Sequence, residues 1–445
     1  MRLVSTRAPF PEVTLRRAVL EEPAPEGALY LPVDLPRLSP GELRGLVGLP
    51  FPAVAEALAL RVLGPLLGDA PVRRMVAEAL DFPVPVVPLD DSTWILELFH
   101  GPTGSFKDFG ARFLARLLSA LRKPGEGPVL ILVATSGDTG GAVAEAVAGL
   151  EDVKAVILFP RNRISEVQRR QIQIPGATGS VVPVEVQGSF DDCQRMLKEV
   201  LAHPGTGIPA TLTSANSVNV GRLIPQSFYY VYGWSALPAE TRERLMVSVP
   251  SGNLGNLTAG IIAELMGVPF RHFVAASNAN AAMTRYIESG ALPTGPSLET
   301  LSSAMDVARP SNLERLLTIY ERDIPSLSER ITPTWHEDDA LLEAMGSVVR
   351  ERGYLMDPHT AVGYLGLEET RDRIGHGPGL VLATADPAKF PETVVRATGV
   401  QPPPRRDWDT EGRTPETAAA IRKGEEATVE LGPDPEALRA LLRRI

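Results

Sequence analysis

The feature that most restricts how this chain can fold is a run of six apolar residues, Val129-Leu130-Ile131-Leu132-Val133-Ala134. It ends in the glycine-rich turn Thr135-Ser136-Gly137-Asp138-Thr139-Gly140-Gly141 and then takes helical spacing from about Ala142. A strand with no polar face is a strand covered on both faces, as in a parallel sheet flanked by helices. The pattern recurs. Strands are predicted at 94–99, 155–159 and 181–186, alternating with helices at 106–121 and 166–173 and one opened by Ser189 and Asp192 in a capping box. After a helical stretch at 220–234, a second series follows, with strands at 245–249, 270–276 and 380–384 and helices at 257–266 and 391–398. Alternation on this scale predicts an α/β fold built on two doubly wound parallel sheets.

The 445 residues suggest two to three domains. Residues 1–92 read as a helical N-terminal domain, with clear helices at 53–67 and 71–80. Residues 93–220 read as a smaller α/β domain and 221–445 as a larger one, mostly helical between 285 and 350. The proline- and arginine-rich stretch 402–413 reads as surface or weakly ordered chain. A net charge of −10 without a basic stripe argues against nucleic acid. No apolar run approaches the roughly 20 residues that span a bilayer, and the first residues lack a signal-peptide core. These readings predict a cytoplasmic protein with no membrane partner. One cysteine, Cys193, leaves neither a disulfide framework nor a thiolate metal site, so no metal is expected.

Chemistry concentrates in His100-Gly101-Pro102-Thr103-Gly104-Ser105-Phe106-Lys107-Asp108-Phe109-Gly110. Ser105 and Asp108 have capping-box spacing, which predicts a helix from Phe106 with Lys107 in its first turn. A cation there opposes the helix dipole, and the flanking phenylalanines desolvate it. Both effects favour a neutral amine, as a Schiff-base lysine requires. A solvated lysine at a helix start is the plain alternative. Of 44 Lys and Arg residues only six are lysine, and among those six Lys107 and Lys389 alone lie in apolar settings punctuated by glycine or proline.

Two glycine-rich turns lack lysine. The one at 135–141 offers backbone N–H groups and hydroxyls at a helix start, a cradle suited to a carboxylate, although Asp138 fits poorly with a phosphate. The turn Pro250-Ser251-Gly252-Asn253-Leu254-Gly255-Asn256 is neutral and the better phosphate cup. A P-loop, a dinucleotide fingerprint after a strand, a zinc-protease helix and a nucleophile elbow are all missing. Of six histidines, His100 and His359 adjoin glycine or proline turns and merit interest.

Together these motifs resemble the pyridoxal-phosphate enzymes of fold type II and, within them, the threonine synthases. The resemblance spans nearly the whole chain. It rests on 100–109, 134–141, Ser214-Ala215-Asn216-Ser217-Val218-Asn219, 249–256, 302–306, Thr384-Ala385-Asp386-Pro387-Ala388-Lys389-Phe390 and an N-terminal segment at 13–32. It implies pyridoxal 5'-phosphate on Lys107, beside Phe106, with Gly252, Asn253, Leu254, Gly255 and Asn256 around its phosphate and Thr384 facing the pyridine nitrogen. It also implies O-phospho-L-homoserine as substrate, converted with water to L-threonine and phosphate. Substrate contacts would come from Thr135, Ser136, Asp138, Thr139, Asn216, Asn219 and Arg222, with Arg112 a further candidate for the phosphate. A monomer or homodimer is expected. Asp386 departs from the family's usual histidine, which bears on the charge near the cofactor. A phospholyase releasing a 2-oxo acid and a non-catalytic binding protein are the competing classes.

Overall fold

The computed structural model describes residues 1–7, 11–22, 24, 27–123, 125–135, 137–161, 163–405 and 414–445. Ser136 and most of the 402–413 stretch therefore lie outside the described residues. The buried apolar runs build two sheets. The five-stranded one has the order β14-β8-β7-β6-β9, all parallel, from β6 (Val129–Ala134), β7 (Val153–Pro160), β8 (Val181–Val186), β9 (Thr211–Ser214) and β14 (Val429–Leu431). The six-stranded one has the order β12-β11-β10-β13-β5-β4. It comprises β4 (Val86–Pro88), β5 (Thr93–Glu97), β10 (Met246–Pro250), β11 (His272–Asn278), β12 (Ile331–His336) and β13 (Gly379–Ala383). Only β4 runs antiparallel there. Strands β6, β10, β11 and β13 are buried at every position, as expected where helices cover both faces.

Helix Lys107–Leu121 and helix Val220–Ser235 pack together between the sheets. Phe109 of the first meets Phe51, Phe82 and Tyr229 edge-on, at ring separations of 5.5, 4.8 and 5.0 Å. Such contacts add about 0.5–1.5 kcal/mol each to the area they bury. This aromatic cluster fixes the helix whose first residue is Lys107.

The structure adds to or departs from the sequence reading at several points. The segment 1–92 is not purely helical: β1 (Arg2–Ser5), β2 (Val13–Thr14) and β3 (Tyr30–Pro32) form an antiparallel sheet in the order β2-β1-β3, from strands too short to show a period. The strand that follows position 93, β5, pairs with β13 in the six-stranded sheet while the helix after it faces the other sheet. An apolar run announces a strand but not its neighbour. The C-terminus likewise crosses back, since β14 pairs with β8 and Pro435–Leu442 packs on Phe190–Ala202. Finally, the Ser105/Asp108 capping box does not form. The Asp108 carboxylate turns back to Thr103, accepting from its N–H at 2.9 Å and its hydroxyl at 2.6 Å. The helix starts at Lys107 instead, with Ser105 Oγ accepting from the Lys107 N–H at 3.2 Å.

Candidate active site

The carboxyl ends of β6, β9, β10 and β13 and the start of helix Lys107–Leu121 converge on one cavity of about 1000 Å³. In open parallel sheets this is where ligands bind. Phe106, Lys107, Thr135, Asp138, Thr139, Asn216, Arg222, the 252–256 turn and Thr384 all line it. Asn219 does not. Its amide donates to Val19 O at 3.0 Å and Ser214 O at 2.8 Å, and its Oδ1 accepts from the Gly221 N–H, so it is a helix cap with nothing left for a substrate.

The Lys107 Nζ lies 5.0 Å from the centre of the Phe106 ring and 3.5 Å from Asp138 Oδ2. Burial pulls its pKa below the ordinary lysine value. The Lys389 and Arg222 cations add to that against the opposing pull of Asp138. Gly101 permits the tight loop before it, since a Cβ there would sit 2.5 Å from Asp108 Oδ2.

Asp138 is itself committed. Its Oδ1 is 2.6 Å from Lys389 Nζ and accepts from Gln168 Nε2 at 3.2 Å. Burial pushes its carboxyl up, but Lys389 and Lys107 outweigh that and hold it well below the carboxylate range. A carboxylate so placed repels a substrate anion, so Asp138 is a partner of the lysines and not a substrate ligand. Thr135 is also spent, because its hydroxyl donates to Gly137 O at 2.8 Å and accepts from the N–H groups of Gly137 and Gly140. Asn216 uses its amide on the backbone of Ala134, at 3.0 Å to the carbonyl. Among the described residues, the polar groups still open on this side are Thr139 and backbone N–H groups at the start of helix Asp138–Val147.

Arg222 is different in kind. It is 2 % exposed, donates to Ala215 O at 2.8 Å, and its Nε has no partner. Burial pulls the guanidinium down to about 10. A desolvated cation with one carbonyl contact is built for an anion. Arg112 is not: it is bound to Asp81 at 2.9 Å and Glu145 at 3.1 Å, away from the cavity.

The turn after β10 has the chemistry a phosphate monoester needs. Leu254 takes a left-handed φ of 59° and opens helix Gly255–Leu265 with no side-chain cap, so the first N–H groups are left for a ligand. Asn256 Oδ1 accepts from Tyr229 and Tyr230 hydroxyls at 2.6 and 2.8 Å, while its buried Nδ2 has no partner. Gly252 lets the backbone of Met305 approach, since a Cβ would lie 2.8 Å from Met305 Cα. Asn253 contributes main chain only, because its side chain bridges Ser217 and Ser311. A neutral cup holding an orphaned donor fits the phosphate of pyridoxal phosphate, and a lysine of lowered pKa at the same cavity fits its aldehyde.

Three side chains at or near the site were given no role from sequence. Arg315, fully buried, links Tyr30 O (3.0 Å) to Asn312 (2.6 Å), whose amide donates to Asn253 O at 3.0 Å. His359 lines the cavity with Nδ1 on Asp357 at 2.6 Å and Nε2 accepting from Ala304 N–H at 3.2 Å. Its place beside Pro358 was the one signal available. Lys389 had its rarity and its proline-punctuated apolar setting. Asp386 faces away from the cavity: it accepts from Ala388 N–H at 2.9 Å and lies 3.6 Å from Arg405. His100 pairs with Glu97 at 2.7 Å and Cys193 is fully buried, its thiol pushed up to about 12 by burial.

Comparison with known proteins agrees with this geometry. Residues 81–385 match the family model described as pyridoxal-phosphate dependent enzyme. Residues 2–80 match threonine synthase N terminus, and 360–442 match threonine synthase, C-terminal. Threonine synthase of Haemophilus influenzae is 37% identical over 418 residues, covering 93% of this chain and 95% of that one. The crystal structure of threonine synthase from Escherichia coli superposes with a TM-score of 0.88 at 35% identity, covering 100% of both chains. A PLP-bound threonine synthase from Brucella melitensis gives 0.86 at 33%, over 100% of this chain and 99% of that one. Matches of this extent, together with a lysine, a neutral phosphate cup and an orphaned arginine around one cavity, mean that the chain belongs to the threonine synthase family of pyridoxal-phosphate enzymes.

Proposed function

We propose that the chain converts O-phospho-L-homoserine and water to L-threonine and phosphate in the cytoplasm, with Lys107 as the lysine that carries the cofactor. When bound, pyridoxal phosphate supplies an electron sink for negative charge developing on the substrate carbons. The 252–256 turn holds the cofactor phosphate with its N–H groups and Asn256 Nδ2, while Thr384 offers a hydroxyl to the ring nitrogen. Lys107 Nζ removes the proton at the substrate α-carbon, for which a lowered pKa equips it. A β-proton is then lost as the Cγ–O bond to phosphate breaks, a proton is added at Cγ, and water supplies the hydroxyl at Cβ, with Lys107 as the amine that would carry these protons. Thr139 and the N-terminus of helix Asp138–Val147 hold the substrate carboxylate. Arg222 holds the departing phosphate, whose charge its unpartnered Nε and buried guanidinium would neutralise.

The observation that carries this reading is the pairing of an amine of depressed pKa with a neutral, donor-lined cup at one cavity. Lys107→Ala should lose the absorbance of the lysine-bound cofactor and reduce turnover roughly a thousandfold or more. Holoprotein incubated with O-phospho-L-homoserine should release threonine and phosphate in equal amounts. A 2-oxo acid with ammonia in place of threonine would give the site to a phospholyase.

A further inference from the structure

Lys389 has no place in the roles above, yet it is held more tightly than any other cation around Asp138. Asp386 caps the turn Pro387–Lys389 and so directs the chain after β13 back toward the 138 turn. The Lys389 side chain is 1% exposed, with Nζ 2.6 Å from Asp138 Oδ1 and donating to Thr103 O at 2.9 Å. The second oxygen, Asp138 Oδ2, has no hydrogen bond and faces Lys107 Nζ at 3.5 Å. One buried carboxylate thus stands between two ammonium groups.

We propose that Lys389 is a positioning residue that satisfies Asp138 and thereby leaves the Lys107 nitrogen free to release its proton. The inference rests on the reading that Lys107 carries the cofactor. Without Lys389, the nearest cation to Asp138 is Lys107, and a buried carboxylate with no other counterion holds its neighbour protonated. Lys389 is the only one of the two that can be given over to this task, because Lys107 must trade its proton during turnover. Other groups also face this pair: the buried Asp108 carboxylate, held by Thr103, lies within the field of Lys389, whose Nζ also reaches Gln171 Oε1 at 3.5 Å. Arg222 lies across the cavity from Lys107, His359 with Asp357 behind it approaches Asp138 from helix Pro358–Ile374, and Gln168 donates to Oδ1. His359 is fixed by Asp357 and Ala304 and does not share the Asp138 oxygens.

The test follows the absorbance of lysine-bound cofactor in purified holoprotein as pH is varied. Lys389→Met and Lys389→Gln should raise the midpoint by about one to two pH units and carry the kcat/KM profile with it. Lys389→Arg keeps the charge and should restore a midpoint near that of the parent. Should neither uncharged variant fold, Asp138→Asn combined with Lys389→Met leaves no unpaired charge. Its midpoint should return to within about half a unit of the parent, because the two effects on Lys107 cancel. An unmoved or lowered midpoint in the single variants, or a double variant displaced by a full unit, overturns the proposal. Lys107→Ala separates the two readings. A band that survives there removes the assignment of Lys107, whereas an intact band whose midpoint ignores Lys389 removes only the role of Lys389.

Discussion

Two of the buried acid–base pairs among the described residues differ in charge state. Asp138 and Lys389 are 2.6 Å apart, with Gln168 and Lys107 adding to the field on the carboxylate, which stays ionised. Glu22 and Arg315 are 3.8 Å apart and equally shielded, yet neither Glu22 oxygen has a hydrogen bond. Burial pushes the Glu22 carboxyl up to about 8 in spite of the nearby guanidinium. Arg315 has spent its donors on the carbonyls of Tyr30, Ser217 and Val218 and on Asn312. Burial alone therefore does not set charge; the count and distance of donors do. The first pair serves the reacting amine. In the second, the arginine acts as a bracket that joins the N-terminal sheet, through Asn312, to the turn proposed to hold the cofactor phosphate.

The sharpest way to break this contrast is to neutralise each acid in turn. Asp138→Asn strands a buried ammonium and should cost about 3–5 kcal/mol in urea unfolding. Glu22→Gln replaces a carboxyl that is neutral in the folded chain but ionised in the unfolded one, so at pH 7 it should cost nothing and should raise stability by up to about 3 kcal/mol. Equal losses would mean that both pairs are ionised and the distinction is wrong.

The same contrast lies in the pH dependence. The Glu22 carboxyl is held above its ordinary value of 4.5, so between pH 4.5 and 8 the folded chain binds a proton that the unfolded chain has released. Its contribution to stability is therefore complete below about pH 4.5 and declines as pH rises through 8. Asp138 behaves inversely, its contribution being present above about pH 4 and lost on acidification. Subtracting the stability profile of Glu22→Gln from that of the parent should leave a fall of roughly 3–5 kcal/mol across this window. A flat difference would show that Glu22 finds a counterion after all.

Arg315→Lys keeps a charge near Glu22 but cannot reproduce the planar fork that reaches three carbonyls and Asn312. Affinity for pyridoxal phosphate, titrated by absorbance into apoprotein, should weaken about tenfold, the equivalent of one lost hydrogen bond to a charged group. Unchanged affinity would confine Arg315 to the stability of the N-terminal sheet.

How much of this was legible in the sequence depends on range. The buried strands announced themselves, because 129–134 and 181–186 are apolar enough to need no partner for their identification. The strand Ile331–His336 did not, since Pro333 and its threonines suit the edge it occupies and break the apolar run. Lys107 and the neutral cup could be read because each is a local pattern of backbone and charge. The Asp138–Lys389 and Glu22–Arg315 pairs could not, because each joins segments far apart in the chain and only folding brings them together. Asp138 shows the limit best. Its turn has the local shape of an anion cradle, but the lysine that satisfies it comes from the segment after β13, a strand of the other sheet.

A third carboxylate marks the edge of the comparison. Asp386 stands at the position where the family resemblance leads one to expect histidine, close in sequence to Thr384 at the cavity. Its own carboxylate points outward to Arg405 and caps the turn that delivers Lys389. Burial raises its pKa, and the Ala388 N–H and Arg405 oppose the rise. Because the group acts on backbone and not on the cavity, Asp386→His should cost no more than about 1 kcal/mol, the worth of one cap. Loosening of the turn would then reach turnover only through Lys389, lowering kcat/KM by roughly threefold. A loss beyond tenfold with stability intact would mean that this charge acts on the cofactor directly, and the division between charges inside the site and charges that merely hold it would have to be redrawn to include residue 386.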